Sequence, residues 1–201
     1  MSSTKSYYNL NSSKYANESN IVDFSRLYER LHTYTNKAHT ILDIGCGSGR
    51  DASFFAKQGK IITAIDYSDN MIKEAIKLNG YDNIKYITSD ITSYKTSQSF
   101  DLIWANASLL HLDRSSLGDV LLKIATMMSD NGCFYASYKE CVTDDISAED
   151  SNGRFFAYYT ADMLKDIYMQ NNLRVCEVFI TNDSVGRSTK WINVIASRCI
   201  E

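Results

Sequence analysis

Three acidic side chains close three short apolar runs at near-equal intervals: Asp43, Asp66 and Asp90. The first leads directly into Gly45-Cys46-Gly47-Ser48-Gly49. Glycine at alternate positions lets a backbone turn tightly and approach a ligand closely, because no Cβ stands in the way. The pattern is GxGxG. A dinucleotide fingerprint wants its third glycine one position later, where Arg50 stands, and a phosphate-binding P-loop wants a terminal GK[ST] that is missing. Asp66, about 20 residues after the loop, suits a carboxylate that accepts both ribose hydroxyls. Asp90, followed by Ile91, suits a carboxylate that pairs with an adenine edge while its neighbour covers the ring. Only 24 of 201 residues are acidic, so three such termini in series point to a nucleoside-bearing ligand.

These side chains need a frame that gathers strand ends on one side. Residues 40–44, 61–65, 84–88, 100–105 and 133–138 read as strands, and helical patterns fall between them. One helix follows the glycine loop, with Ala52, Phe54, Phe55 and Ala56 on its apolar side, and stops near Gly59. Others cover residues 69–78, ending at Asn79-Gly80, residues 115–128, and residues 160–170 with Thr160 as N-cap. An entry helix is expected over residues 21–33, and an antiparallel pair over 175–180 and 191–197 closes the chain. The class is therefore α/β, a doubly wound and mostly parallel sheet. Ligands of such sheets lie beyond the carboxyl ends of the strands, at the switch point. We divide the chain into a lead-in and helix over 1–39, folded over the site, and a main domain over 40–201.

Composition narrows the classes. The formal net charge is −3 and the pI about 5.6, where a general nucleic-acid binder is usually basic. No apolar run approaches the roughly 18 residues of a membrane span, and the polar, Ser-, Asn- and Tyr-rich start lacks a secretory core. Cys46, Cys133, Cys141, Cys176 and Cys199 form no CxxC pair, which argues against zinc or a disulfide framework and for a cytoplasmic setting. Cys46 reads as a small buried filler in the loop. Partners are expected to be small molecules, with no membrane, as a monomer or homodimer.

Residues 43–49 resemble motif I of the class I S-adenosyl-L-methionine-dependent methyltransferases, with Asp66 as motif II and Asp90-Ile91 as motif III. Asn106, after Phe100-Asp101-Leu102-Ile103-Trp104-Ala105, stands where motif IV would be. The resemblance covers roughly residues 7–197. More narrowly, the chain is similar to small bacterial methyltransferases that join GCGSGRDA to a following SLLH segment, some of them tellurite-resistance-type enzymes. The resemblance implies a Rossmann-like seven-stranded sheet with its last strand antiparallel, and S-adenosyl-L-methionine as cofactor. Gly45, Gly47 and Gly49, with Cys46 among them, would border the methionine and ribose portions. Asp43 would orient the loop and the cofactor's ammonium group, Asp66 would hold the ribose, and Asp90 would accept from the adenine amino group. Tyr67 and Met71 would pack on adenine, although Met71 reads equally well as core. Tyr8 and Tyr15, in a lead-in resembling the family's, would face the sulfonium; the plainer alternative is that they cover the sheet.

Methyl transfer asks the protein mainly for alignment and a dry pocket. A base is needed only where the acceptor carries a proton that must leave. His111, after Ser108-Leu109-Leu110, is the candidate base, with capping or positioning of the helix at Ser115 as the alternative; Tyr8 is the second catalytic candidate. Lys139, Arg154, Arg187 and Trp191 would line the acceptor pocket and suit an anionic group. Against this stands an internal ion-pair set with Asp144, Asp145, Glu149 and Asp150. The chain has no proline, so it has neither the [DN]PPY segment of DNA amine methyltransferases nor the Pro–Cys nucleophile of cytosine C5 enzymes. RNA methylation stays open as an alternative, as does a non-catalytic cofactor-binding module.

Overall fold

The computed structural model describes residues 3–141 and 146–199. Two short helices, α1 (Ser3–Leu10) and α2 (Ser12–Asn20), precede α3 (Ser25–Thr35). Then follow β1 (Thr40–Ile44), α4 (Arg50–Ala56), β2 (Ile61–Asp66), α5 (Asp69–Asn79), β3 (Ile84–Thr88) and β4 (Phe100–Ala105). A 3-10 turn at Leu109–His111 leads to α6 (Arg114–Met127) and β5 (Met128–Glu140). Next come the hairpin β6 (Ser147–Glu149) and β7 (Phe155–Tyr159), then α7 (Ala161–Gln170), β8 (Leu173–Asn182) and β9 (Lys190–Arg198).

The main sheet runs β3-β2-β1-β4-β5-β9-β8, parallel except for β9, which is antiparallel to both neighbours. This is the expected Rossmann-like α/β sheet with its last strand antiparallel. The small hairpin adds to it: β7 takes the edge of β5 that β4 leaves after Ala105↔Ala136, opposite β9, through Lys139↔Tyr158 and Glu140↔Tyr159. The central strands are buried on both faces, as parallel strands between helical layers must be. Ile41, Ile62, Leu102 and Trp104 pack with Leu31, Ala52 and Phe55 on one face. Leu42, Ile65, Ile103 and Phe134 pack with Leu117, Leu121, Ile124 and Leu164 on the other.

Helix starts follow their caps. Ser68, Asp113 and Thr160 accept from the backbone N–H of Met71, Ser116 and Met163, satisfying donors that the first turn leaves open. Two expectations need correcting. The entry helix begins at Ser25, not residue 21: Asp23 turns the chain by accepting from Ser25 N–H (2.8 Å), and Ile21 is left 84% exposed. Pairing of β5 begins at Met128, with a register shift before Leu102↔Cys133, so Asn131-Gly132 lies within an irregular strand rather than before a regular one. The lead-in is helical, held not by its own periodicity but by Tyr8 and Ala16 packing with Met71 and by Asn9 bonded to Ser68 and Asn70 of the next layer. Among the described residues no helix is long and apolar enough to cross a membrane.

Candidate functional site

The carboxyl ends of β1, β2 and β4 open into one cavity of about 1440 Å³. That exceeds the roughly 300–1,000 Å³ of a site for one drug-sized ligand, leaving room for two molecules side by side. Asp43, Gly45, Cys46, Gly47, Asp66, Tyr67, Met71, Asp90, Ile91 and Asn106 all line it, as do Tyr8, Tyr15, His111, Lys139, Arg154, Arg187 and Trp191.

The loop is tied to β2 by Gly45 and Cys46 N–H donating to Ile65 O (2.8 and 3.0 Å). Asp66 is buried and accepts from Gly47 N–H with one oxygen (3.0 Å) and from Ser68 N–H with the other (2.9 Å). Burial nevertheless outweighs these donors and raises its carboxyl to about 6. Asp43 is 2% exposed, and its Oδ2 has no partner among the described residues. Burial, then the neighbouring Asp51, pushes the Asp43 carboxyl well up. Tyr67 Oη and Ser108 Oγ are likewise buried and unpaired, and both residues line the cavity. Asp90 sits at the rim, its Oδ1 held by Thr92 N–H and Oγ1 (2.9 and 2.8 Å).

Two sequence assignments change. Gly49 does not border the cavity. It takes φ 76°, and a Cβ there would stand 2.4 Å from Tyr86 Oη and 3.3 Å from Ala75 Cβ, so its missing side chain lets the loop pack on β3 and α5. Asn106 is part of the cavity wall, but its amide is engaged: Nδ2 donates to Asp51 and Oδ1 accepts from Ser137 Oγ (3.0 and 2.9 Å). A Cβ on Gly47, by contrast, would meet nothing nearer than Met71 Cε at 4.0 Å, so this glycine opens onto the cavity.

Sequence reasoning missed Asp51. Buried in the first turn of α4, it accepts from Tyr28 Oη (2.5 Å), Arg50 Nε (2.6 Å), Trp104 Nε1 (2.8 Å) and Asn106 Nδ2 (3.0 Å). Burial would raise its carboxyl, but the Arg50 charge and these donors hold it below the usual range. One side chain thus fastens α3, the glycine loop and the end of β4 together. Its only sequence signal was an acid at a helix start beside an arginine.

Aromatic rings form a continuous path away from the loop. Tyr8 stands 6.5 Å from Tyr67, 5.0 Å from Tyr15 and 5.6 Å from His111, centre to centre, and His111 lies 4.9 Å from Phe156. His111 Nδ1 lies 2.7 Å from Phe155 O, which can only accept, so that nitrogen carries a proton. Nε2 is 3.0 Å from Tyr8 Oη. Burial lowers the imidazole to about 4, with Arg154 and Lys139 pressing the same way, so Nε2 is bare at neutral pH and Tyr8 donates to it. The helix-capping alternative for His111 fails, because Asp113 caps α6.

The cations at the far end divide. Arg154 is paired with Asp150 through Nε and Nη2 (2.8 and 2.6 Å), so the internal-pair alternative holds for this residue. Lys139 has no ion pair among the described residues; its Nζ lies 3.3 Å from the centre of the Phe156 ring. Arg187 is exposed, and Trp191 Nε1 donates to Asp183 (3.1 Å). Glu149 accepts from Ser3 Oγ (3.3 Å), while Asp144 and Asp145 lie outside the described residues.

Residues 41–132 match the family model described as a methyltransferase domain. A 1,6-didemethyltoxoflavin-N1-methyltransferase from Burkholderia thailandensis, solved with that compound and S-adenosylhomocysteine, has the same fold. It superposes with a TM-score of 0.81 at 17% identity, over 98% of this chain and 88% of that one. The fold is therefore the Rossmann-like methyltransferase fold, and the family match spans the segment from β1 into the irregular start of β5. In sequence, the chain is 29% identical over 119 residues to phosphoethanolamine N-methyltransferase 1 of Triticum aestivum, covering 53% of this chain and 24% of that protein. It is 30% identical over 138 residues to (S)-coclaurine N-methyltransferase of Papaver somniferum, covering 62% and 37%. The chain spans well under half the length of either relative.

Proposed function

We propose that this protein is an S-adenosyl-L-methionine-dependent methyltransferase with a small-molecule acceptor. The observation that carries this reading is Asp43 Oδ2, a buried carboxyl oxygen without a partner among the described residues, set beside the open Gly47 and the buried Asp66 in one cavity. A desolvated, unpaired carboxylate is costly unless a donor or cation meets it, and an amino-acid ammonium is such a group. The residues present therefore fit this cofactor. Asp43 would take the ammonium, and Asp66, with lone pairs left beyond its two backbone donors, the ribose hydroxyls. Asp90 would accept from the adenine amino group between Tyr67, Met71 and Ile91. Gly45, Cys46 and Gly47 form the adjoining wall, and Tyr8 and Tyr15 present rings where a sulfonium would be stabilised.

When bound, the cofactor supplies a methyl group already activated by positively charged sulfur. The chain's own contribution is alignment and proton management. The Tyr8 hydroxyl, donating to His111 Nε2 beside the Arg154 guanidinium, would offer its oxygen to an acceptor N–H or O–H. As that proton moves to Tyr8, the tyrosine's own proton moves to Nε2. An imidazole held near 4 is a poor base at rest, so the relay acts once methylation has made the acceptor's proton acidic. The relatives' names, phosphoethanolamine and coclaurine N-methyltransferases, support a small acceptor.

Calorimetric titration with S-adenosylmethionine and S-adenosylhomocysteine tests the cofactor; absence of heat with both sinks the reading. Transfer of a labelled methyl group into fractionated cell extract tests the acceptor. Label is expected in the small-molecule fraction, and label in RNA would replace this acceptor class.

A further inference from the structure

We propose that Lys139 anchors an anionic group of the methyl acceptor, a carboxylate or phosphoryl, above the Phe156 ring, so that the rest of the acceptor meets Tyr8 and His111. The inference rests on the methyltransferase reading and deepens it by naming what the acceptor must carry. Lys139 stands at the carboxyl end of β5, in register with Trp191 of β9 on one side and Tyr158 of β7 on the other. Half-buried between two strands, it loses part of its hydration, and no carboxylate among the described residues pairs with it. Burial, then the nearby Arg154, lowers the ammonium to about 8; Asp150 and Asp183 lie close enough to offset this only in part. A charge so placed is stabilised by an incoming anion.

The neighbours define where such an anion sits. Arg154 also faces Phe156, at 5.2 Å, but it is spent on Asp150 and on the Tyr7 ring (4.7 Å); it fixes the aromatic wall rather than the ligand. Arg187 is exposed, where salt screens its charge. Of the three described cations at this end of the cavity, Lys139 is thus the one left for a ligand. The His111 ring stands 4.9 Å from the same Phe156 ring, so a group held at Lys139 places adjoining atoms against the Tyr8–His111 pair. Lys139, Phe156, Tyr8 and His111 line the cavity that also holds Asp43 and Asp66.

The test uses protein saturated with S-adenosylhomocysteine and two probes, inorganic phosphate and acetate, followed by the indole N–H NMR signal of Trp191. The chain has two tryptophans, so the signal is assignable with Trp191→Phe. A saturable shift is expected with at least one probe, and the tighter probe tells phosphoryl from carboxylate. Lys139→Met should weaken it about tenfold or more, the loss of a charge-assisted hydrogen bond, while Lys139→Arg should retain it. Thermal melting of each variant confirms folding. Equal affinity in the wild type and the Met variant, or no saturable shift with either probe, overturns the proposal. A protein that does not bind S-adenosylhomocysteine overturns the methyltransferase reading instead, and the same titrations on the free protein still decide for or against the anion site.

Discussion

Asp66→Asn should separate the cost of the site from its use. Burial raises the Asp66 carboxyl from an ordinary value near 3.9 to about 6. An acid whose folded value is raised binds its proton more tightly folded than unfolded. Stability is therefore lost as pH rises from about 4 to 6 and stays lost above, a total of about 3 kcal/mol at about 1.4 kcal/mol per pH unit. About half of this develops between pH 5 and pH 7.5. Asparagine carries no charge and escapes that loss, but its single oxygen can satisfy only one of Gly47 N–H and Ser68 N–H, which costs about 1–3 kcal/mol at every pH. The variant should thus gain about 1.4 kcal/mol relative to wild type between pH 5 and pH 7.5 in urea unfolding, other carboxylates cancelling in the difference. Calorimetry at pH 7.5 should show S-adenosylhomocysteine binding weakened by about 1–3 kcal/mol. A pH-independent stability difference would refute the buried charge, and unchanged affinity would refute the ribose assignment.

Gly49→Ala should destabilise the protein by more than about 2 kcal/mol, from the left-handed φ together with the 2.4 Å clash with Tyr86 Oη, read as a lowered melting temperature that Tyr86→Phe restores only in part. Asp51→Asn strands the partly buried Arg50 guanidinium and should cost about 3–5 kcal/mol in chemical denaturation; a change under 1 kcal/mol would mean the network holds without its charge. In NMR titration the His111 ring should stay neutral through pH 6.5 and protonate near 4, and a midpoint at the ordinary 6.5 would remove the burial on which the proton relay depends.

The strands and the three carboxylates were legible in the sequence because parallel pairing converts spacing into geometry. Asp43 pairs in register with Ala64, two residues before Asp66, and Asp66 pairs with Thr88, two residues before Asp90. Near-equal intervals along the chain are thus one constant stagger along the sheet edge, and apolar runs ending in an acid reveal it. The lead-in helices were illegible because their stability is borrowed: α1 and α2 hold few apolar residues, and Tyr8, Asn9 and Ala16 find partners across the fold, on α5, the loop before it and His111. The β6–β7 hairpin was missed for a similar reason. Its outer strand is fully exposed, and its anchor, Phe155 N–H donating to Thr4 Oγ1 (2.8 Å), joins residues 151 positions apart. Tyr8 and His111 were named separately; only the fold brings them to 3.0 Å.

The charge arrangement of the cavity floor follows from two different demands on buried carboxylates. Asp51 is saturated by four donors, one of them a guanidinium, and so serves as a fixed joint that needs nothing from a ligand. Asp43 and Asp66 are less fully supplied, one lacking a partner on Oδ2 among the described residues and the other accepting from two backbone N–H groups. Had Arg50 been aimed at Asp43, the floor would be neutral there and indifferent to a cation, and the loop would lose the clasp between α3 and β4. Spending the arginine on Asp51 fastens the architecture while leaving a carboxyl free to ionise against a ligand's ammonium. The same logic, with the sign reversed, operates at the other end, where Asp150 satisfies Arg154 and leaves Lys139 for an anion. On the proposed reading, a cationic group and an anionic group would sit at opposite ends of the Tyr67–Tyr8–His111–Phe156 path, with the bare nitrogen of His111 between them.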